Sequence, residues 1–187
     1  MKRHTFLSLL ICALTCAGIV HAATINVTPG SGTLRTAVTN AAAGDILVLT
    51  TGEYKETSTI TTSVALTIKA AERTQPVVKS TKRIEVNADF SLEGVTFISS
   101  YHLIQVNATT PINFSVQNCI FRMGTESANS YRAIYIDSAT TRVKNVRITG
   151  CTFDGGQYGT GRFIYVYPDS NVEALEGPVE IDQCTFY

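Results

Sequence analysis

The eight residues Val146-Arg147-Ile148-Thr149-Gly150-Cys151-Thr152-Phe153 recur along the chain, and that recurrence limits the fold more than any other feature. Phe114 to Phe121 and Val179 to Phe186 are further copies, and Phe90 to Phe97 is another with Val95 in the cysteine place. The copies start 24, 32 and 33 residues apart, a spacing typical of stacked repeat units. A second phrase keeps step with the first: Ile84-Glu85-Val86, Ile104-Gln105-Val106, Ile134-Tyr135-Ile136 and Ile164-Tyr165-Val166, at intervals of 20, 30 and 30 residues.

Both phrases are short, β-branched and alternate with period two, so each reads as a strand with one face inward. Strands that repeat in the same order with variable turns between them suit an all-β parallel β-helix, a solenoid in which each rung lies on the last. Its hand is expected to be right, as for parallel crossovers generally. Like then stacks on like. Val95, Cys119, Cys151 and Cys184 form one expected inward column, and Phe97, Phe121, Phe153 and Phe186 another. Gly94, Asn118, Gly150 and Gln183 stand where the chain should bend.

The chain opens with Lys2, Arg3 and His4, an apolar run from Phe6 to Val20, and then Ala22 and Ala23. That is the layout of a cleavable export signal, here expected over residues 1–22, with residues 23–187 as one β-helix domain. Lipid attachment at Cys16 is an alternative that the preceding Ala13-Leu14-Thr15 fits poorly. No other run reaches the ~18 apolar residues of a membrane span. The expected location is therefore secreted, periplasmic or cell-surface. Without Lys2 and Arg3, 13 basic side chains face 15 acidic ones, a balance of −2 with the signs mixed. Nucleic acid is excluded as a partner, because it calls for a basic stripe reaching phosphates. Cys12 and Cys16 leave with the signal, and the remaining three cysteines cannot all pair within one chain. They are expected as buried free thiols.

Thr24-Ile25-Asn26-Val27 reads as a first strand and Pro29-Gly30-Ser31-Gly32 as its exit turn. A short amphipathic helix follows, capped by Thr33, with Leu34, Ala37, Val38, Ala41 and Ala42 on one face and Gly44 closing it. Such a helix suits a lid over the open first rung. Next come Gly44-Asp45, the apolar strand Ile46 to Leu49, and Gly52-Glu53-Tyr54. Together, from about Thr24 to about Phe97, these resemble the entry into the pectin-lyase-like right-handed β-helices. The likeness is nearest to the amino-terminal rungs of polysaccharide lyases of the chondroitinase B and alginate lyase type, and to related secreted bacterial β-helix domains of unknown function. Tyr54 is expected to pack under a turn. The chain stops after a strand phrase with no cap, so the coil is expected to be incomplete at its carboxyl end, covered by further rungs or by another chain.

Connections on both sides of the Ile-x-Val strand lengthen along the chain, from six to 12 and 10 residues on one side and from three to seven, nine and 12 on the other. Two walls then rise around one strand face, where sites are commonly built. The trough floor is Glu85, Gln105, Tyr135 and Tyr165, beside Asn87, Asn107, Asp137 and Tyr167. Lys82, His102, Arg132 and Arg162 stand two residues before each Ile, expected in the turn and reaching over the trough. Aromatic faces beside cations suit a sugar polymer, acidic if the arginines meet carboxylate or sulfate groups. Tyr on a pleated face and Arg beside a turn also fit an ordinary surface. The candidate binding residues are Arg132, Tyr135, Asp137, Arg162, Tyr165 and Tyr167.

A uronate lyase needs the substrate carboxylate neutralised and a base for the C5 proton. Arg132 and Arg162 suit the first role, Tyr135 or Tyr165 the acid, and Lys82 or His102 are distant candidates for the base. A hydrolase would draw on Asp137, Asp154 and Asp169, of which Asp154 opens a turn-like Asp-Gly-Gly. The resemblance implies a calcium site and a Lys/Arg pair on central rungs, but no motif of this chain matches them, and no cofactor is identified from the residues. Three functions fit: the leading part of a polysaccharide-processing, lyase-like enzyme acting on acidic glycans; a noncatalytic glycan-binding or adhesion module; or a structural repeat.

Overall fold

The computed structural model describes residues 22–99, 102–123, 132–137, 141–156, 162–167 and 174–187, except the side chains of Met123 and Asp137. The expected signal segment lies outside these residues, apart from its last, Ala22. No described helix is long and apolar enough to cross a membrane.

The chain is a right-handed parallel β-helix. The first sheet stacks β1 (Thr24–Val27), β3 (Asp45–Leu49), β6 (Leu66–Ala70), β9 (Phe90–Glu93), β12 (Ile112–Gln117), β15 (Val143–Thr149) and β18 (Val179–Asp182). The second stacks β2 (Gly30–Ser31), β4 (Gly52–Glu56), β7 (Pro76–Ser80), β10 (Thr96–Ser99), β13 (Ile120–Met123), β16 (Thr152–Asp154) and β19 (Thr185–Phe186). The third holds β5 (Ile60–Thr62), β8 (Ile84–Val86), β11 (Ile104–Val106), β14 (Arg132–Asp137) and β17 (Arg162–Tyr167). Gly30-Ser31, expected as a turn, instead pairs with Tyr54-Lys55 as the first strand of the second sheet.

Each inward position meets its namesake one coil away. Phe97 pairs with Phe121, Phe121 with Phe153 and Phe153 with Phe186. Their rings stack at 5.7, 5.1 and 5.0 Å between centroids, within 11° of parallel. Leu92, Val116 and Ile148 are fully buried in a neighbouring column. Between the first two sheets the chain turns on a left-handed residue, and these are the expected Gly94, Asn118, Gly150 and Gln183, with φ of 71°, 52°, 64° and 52°. The cysteines are free thiols, with Cys119 and Cys151 buried and Cys184 partly so. Burial pushes the Cys119 thiol well above its ordinary pKa. On the last coil, Val179, Ile181 and Phe186 are about half exposed.

Helix α1 (Thr33–Asn40) closes the first rung with Leu34 and Val38 buried, as its pattern predicts. Its cap differs from the expected one. Gly32 is the N-cap residue and makes no side-chain cap bond, while Thr33 lies inside the first turn and its hydroxyl donates to the Gly30 carbonyl. The capping acceptor is Glu56, whose Oε1 accepts from the Leu34 and Arg35 amides at 3.0 and 3.4 Å. The helix also stops at Asn40, leaving Ala41 and Ala42 beyond it. Asp45 ties that exit down: its carboxylate accepts from the Ala23 and Ala42 amides, each at 2.8 Å, and these bonds lower its pKa. Tyr54 is fully buried and donates to the Val27 carbonyl at 2.7 Å. The Gly-Asp and Gly-x-Tyr phrases therefore build the entry to the coil.

Burial outweighs these amide bonds and raises the Glu56 pKa, and its Oε2 has no partner among the described residues. Glu56→Ala, which orphans two helix amides, should lose about 1–3 kcal/mol of unfolding free energy. Glu56→Gln keeps an oxygen for those amides and removes the buried charge, so it should stay within about 1 kcal/mol of wild type in urea unfolding.

Candidate functional site

The outward face of the third sheet carries the expected floor. Ile84, Ile104, Ile134 and Ile164 stack in register, and so do Glu85, Gln105, Tyr135 and Tyr165. The walls fall largely on residues 100–101, 124–131, 138–140, 157–161 and 168–173, which lie outside the described residues, as does Asp169.

Arg132 and Arg162 are the first residues of β14 and β17 rather than turn residues. Strict alternation from Ile134 would send them inward. It fails because two consecutive residues face the interior at this corner: Leu103 with Ile104 and Ala133 with Ile134 are all fully buried, while Phe163 packs on Phe153 and Phe186. Arg132 and Arg162, each standing before such a pair, therefore emerge over the floor.

There the arginines and tyrosines interleave. The Tyr135 and Tyr165 rings stack 5.8 Å apart at 14°. The Arg132 guanidinium carbon lies 4.9 Å from the Tyr135 centroid and 4.8 Å from that of Tyr165, and Arg162 lies 4.6 Å from Tyr165. Each cation lies over a ring face, an attraction of about 0.5–1 kcal/mol at exposed sites and more when desolvated. Tyr167 meets Tyr165 edge-on at 6.3 Å and is 48% exposed. Asp137 pairs with Tyr167 along the backbone, and its side chain lies outside the described residues.

Towards the amino terminus the floor changes character. Gln105 is buried and donates from Nε2 to Asn107 at 2.9 Å, and Glu85 pairs with Arg83 at 2.7 Å. Lys82 is exposed. Behind the trough, where the chain enters the first sheet, runs a polar ladder with no obvious sequence signal. Asn113 donates from its amide nitrogens to both Asp89 oxygens, at 2.8 and 3.1 Å, and Asn145 Nδ2 donates to Asn113 Oδ1 at 2.6 Å. Asp154, considered above as a trough acid, instead lies on β16 of the second sheet. It pairs with Arg122 at 3.7 Å and accepts from the Gly156 amide, as a turn residue would.

His102 is the residue whose role sequence reasoning placed least well. It is 7% exposed, with Arg132 Nη1 at 2.8 Å from its Nε2 and its ring 5.7 Å from Tyr135. Arginine only donates, so Nε2 accepts and the neutral imidazole carries its proton on Nδ1. Burial, then Arg132 and Arg83, push its pKa down to about 4. The unfolded chain therefore binds this proton first. The associated stability is fully present above pH ~6.5 and is lost as pH falls towards ~4, at most about 3 kcal/mol. Acid unfolding of wild type and His102→Gln, followed by circular dichroism, should diverge in that window.

Among the described residues, no group of three or more His, Cys, Asp or Glu converges to hold a metal ion.

No protein-family model matches this sequence, and no curated protein does. Solved structures do. A PL6 family alginate lyase, AlyGC, superposes with a TM-score of 0.56 at 20% identity, over 75% of this chain and 26% of that one. A structure of a mutant of the same lyase gives 0.52 at 16% identity, over 89% of this chain and 39% of that one. This chain thus spans between about a quarter and two fifths of the length of the lyases it matches, and shares with them the parallel β-helix fold.

Proposed function

We propose that this chain is the amino-terminal part of an exported, polysaccharide-processing protein of lyase-like build, engaging an acidic glycan along the trough of its third sheet. The observation that carries this reading is the ladder of Arg132 and Arg162 on Tyr135 and Tyr165. It lies on a coil shared with an alginate lyase. Tyrosine faces stack on the apolar faces of pyranose rings, and guanidinium edges meet carboxylates or sulfates in paired hydrogen bonds. Successive strands lie about 4.8 Å apart, comparable to the advance of one sugar in a polymer, so consecutive rungs can each meet one residue of the glycan. In a lyase, Arg132 and Arg162 neutralise the uronate. Proton abstraction is assigned to none of the described residues.

A noncatalytic glycan-binding module is the second reading. It is favoured by His102, the nearest base candidate, being buried with Nε2 already engaged by Arg132. Incubation with a panel of polyuronates and sulfated glycans, following both affinity and the absorbance of unsaturated products, separates the two. Binding with product formation supports the lyase, binding alone supports the module, and neither outcome leaves only the structural repeat. Export is supported by Lys2, Arg3 and the apolar run Phe6 to Val20. Amino-terminal sequencing of exported protein should begin at Ala23, and a start at Met1 contradicts the cleaved signal.

A further inference from the structure

We propose that His102 is the positioning residue of this trough: its imidazole holds Arg132 so that the arginine's remaining donors meet a sugar carboxylate or sulfate, and its protonation releases both Arg132 and the glycan. The inference rests on the trough reading and adds a regulatory proton to it. Arg132 has five N–H donors on a rigid fork. Nη1 is taken by His102, the Tyr135 and Tyr165 rings hold the planar group in place, and Nε is buried without an acceptor among the described residues, so it is not a donor for the glycan. Nη2 is then the nitrogen left for an anion, and the exposed Arg162 stands in register one rung on. His102 thus sets which edge of the fork is left for an anion.

A protonated imidazole reverses that contact. Both nitrogens then carry hydrogens, so donor faces donor at 2.8 Å and two like charges share a buried site. The described charged and titratable groups around His102 are Arg132 and the Tyr135 ring on β14, together with Arg83 at the entry to β8, itself paired with Glu85. Arg132 and Arg83 both oppose a second positive charge. Arg83 is held by its ion pair with Glu85, so the repulsion falls on the Arg132 contact.

The test is the affinity of the full chain for two probes, an oligomer of polygalacturonate and a sulfated dextran oligomer, between pH 7 and pH 3.5 with circular dichroism as a check on folding. The sulfate stays ionised throughout, so its binding reports the protein. Wild-type affinity for it should fall about fourfold by pH 3.5, the neutral fraction left by a pKa of about 4. His102→Gln, whose Oε1 accepts from Arg132 at any pH, should match wild type at pH 7 and stay flat. His102→Leu, which removes the acceptor, should bind about tenfold more weakly at pH 7. A parallel fall in wild type and His102→Gln overturns the inference, as does full affinity in a folded His102→Leu. Both outcomes leave the trough intact. If neither probe binds wild type at pH 7, the trough reading itself fails. Binding of only one probe at pH 7 supports the trough reading and identifies the anion, and the His102 variants are then compared with that probe.

Discussion

Phe121→Ala should lose about 3–5 kcal/mol of unfolding free energy, the usual range for deleting a buried phenyl ring. Phe121 is fully buried, with Phe97 stacked on one side and Phe153 on the other, so its removal opens a void in the middle of a column. The neighbouring rings cannot collapse into that void without leaving their strand register, which backbone bonds on both sides hold. Arg122→Ala, the next residue on the same strand but 54% exposed, should change stability by less than about 0.5 kcal/mol. Urea unfolding of the two variants checks the contrast. Equal losses would mean that the inward and outward faces of β13 are misassigned.

The second large effect concerns binding. Arg132→Ala with Arg162→Ala should weaken binding of an acidic oligosaccharide by about 100-fold, two charge-assisted contacts at somewhat over 1 kcal/mol each. The loss should shrink as salt is raised, because the removed term is partly Coulombic. Lys55→Ala with Lys79→Ala removes two cations from the second sheet, where Glu53 already pairs with both. That variant should bind as wild type does, so net charge alone is not the cause. Isothermal titration at two salt concentrations checks both statements.

Much of the coil was legible because its contacts are repeats of one phrase. The Phe and Cys columns, the bends at Gly94, Asn118, Gly150 and Gln183, and the stacking of Tyr135 on Tyr165 all follow once equal positions lie above one another. What escaped sequence reading depends on contacts between unlike positions. Glu56 caps a helix more than 20 residues before it, so no local motif such as Thr33 could announce it. Arg132 and Arg162 begin strands rather than sit in turns because Ala133 with Ile134 breaks the period of two, and periodicity alone cannot signal its own interruption. His102 appeared as one cation among four. Its burial against Arg132 comes from 30 residues away along the chain, and turns that cation into a neutral acceptor.

The trough is tested most directly by an NMR titration of side-chain Arg Nε and Tyr ring signals with an acidic oligosaccharide. Binding at the third sheet requires saturable shifts at Arg132, Tyr135, Arg162 and Tyr165, while Arg122 on the second sheet stays unchanged. Shifts centred on Arg122, or an unresponsive Arg132 and Tyr165 at saturating ligand, would contradict it.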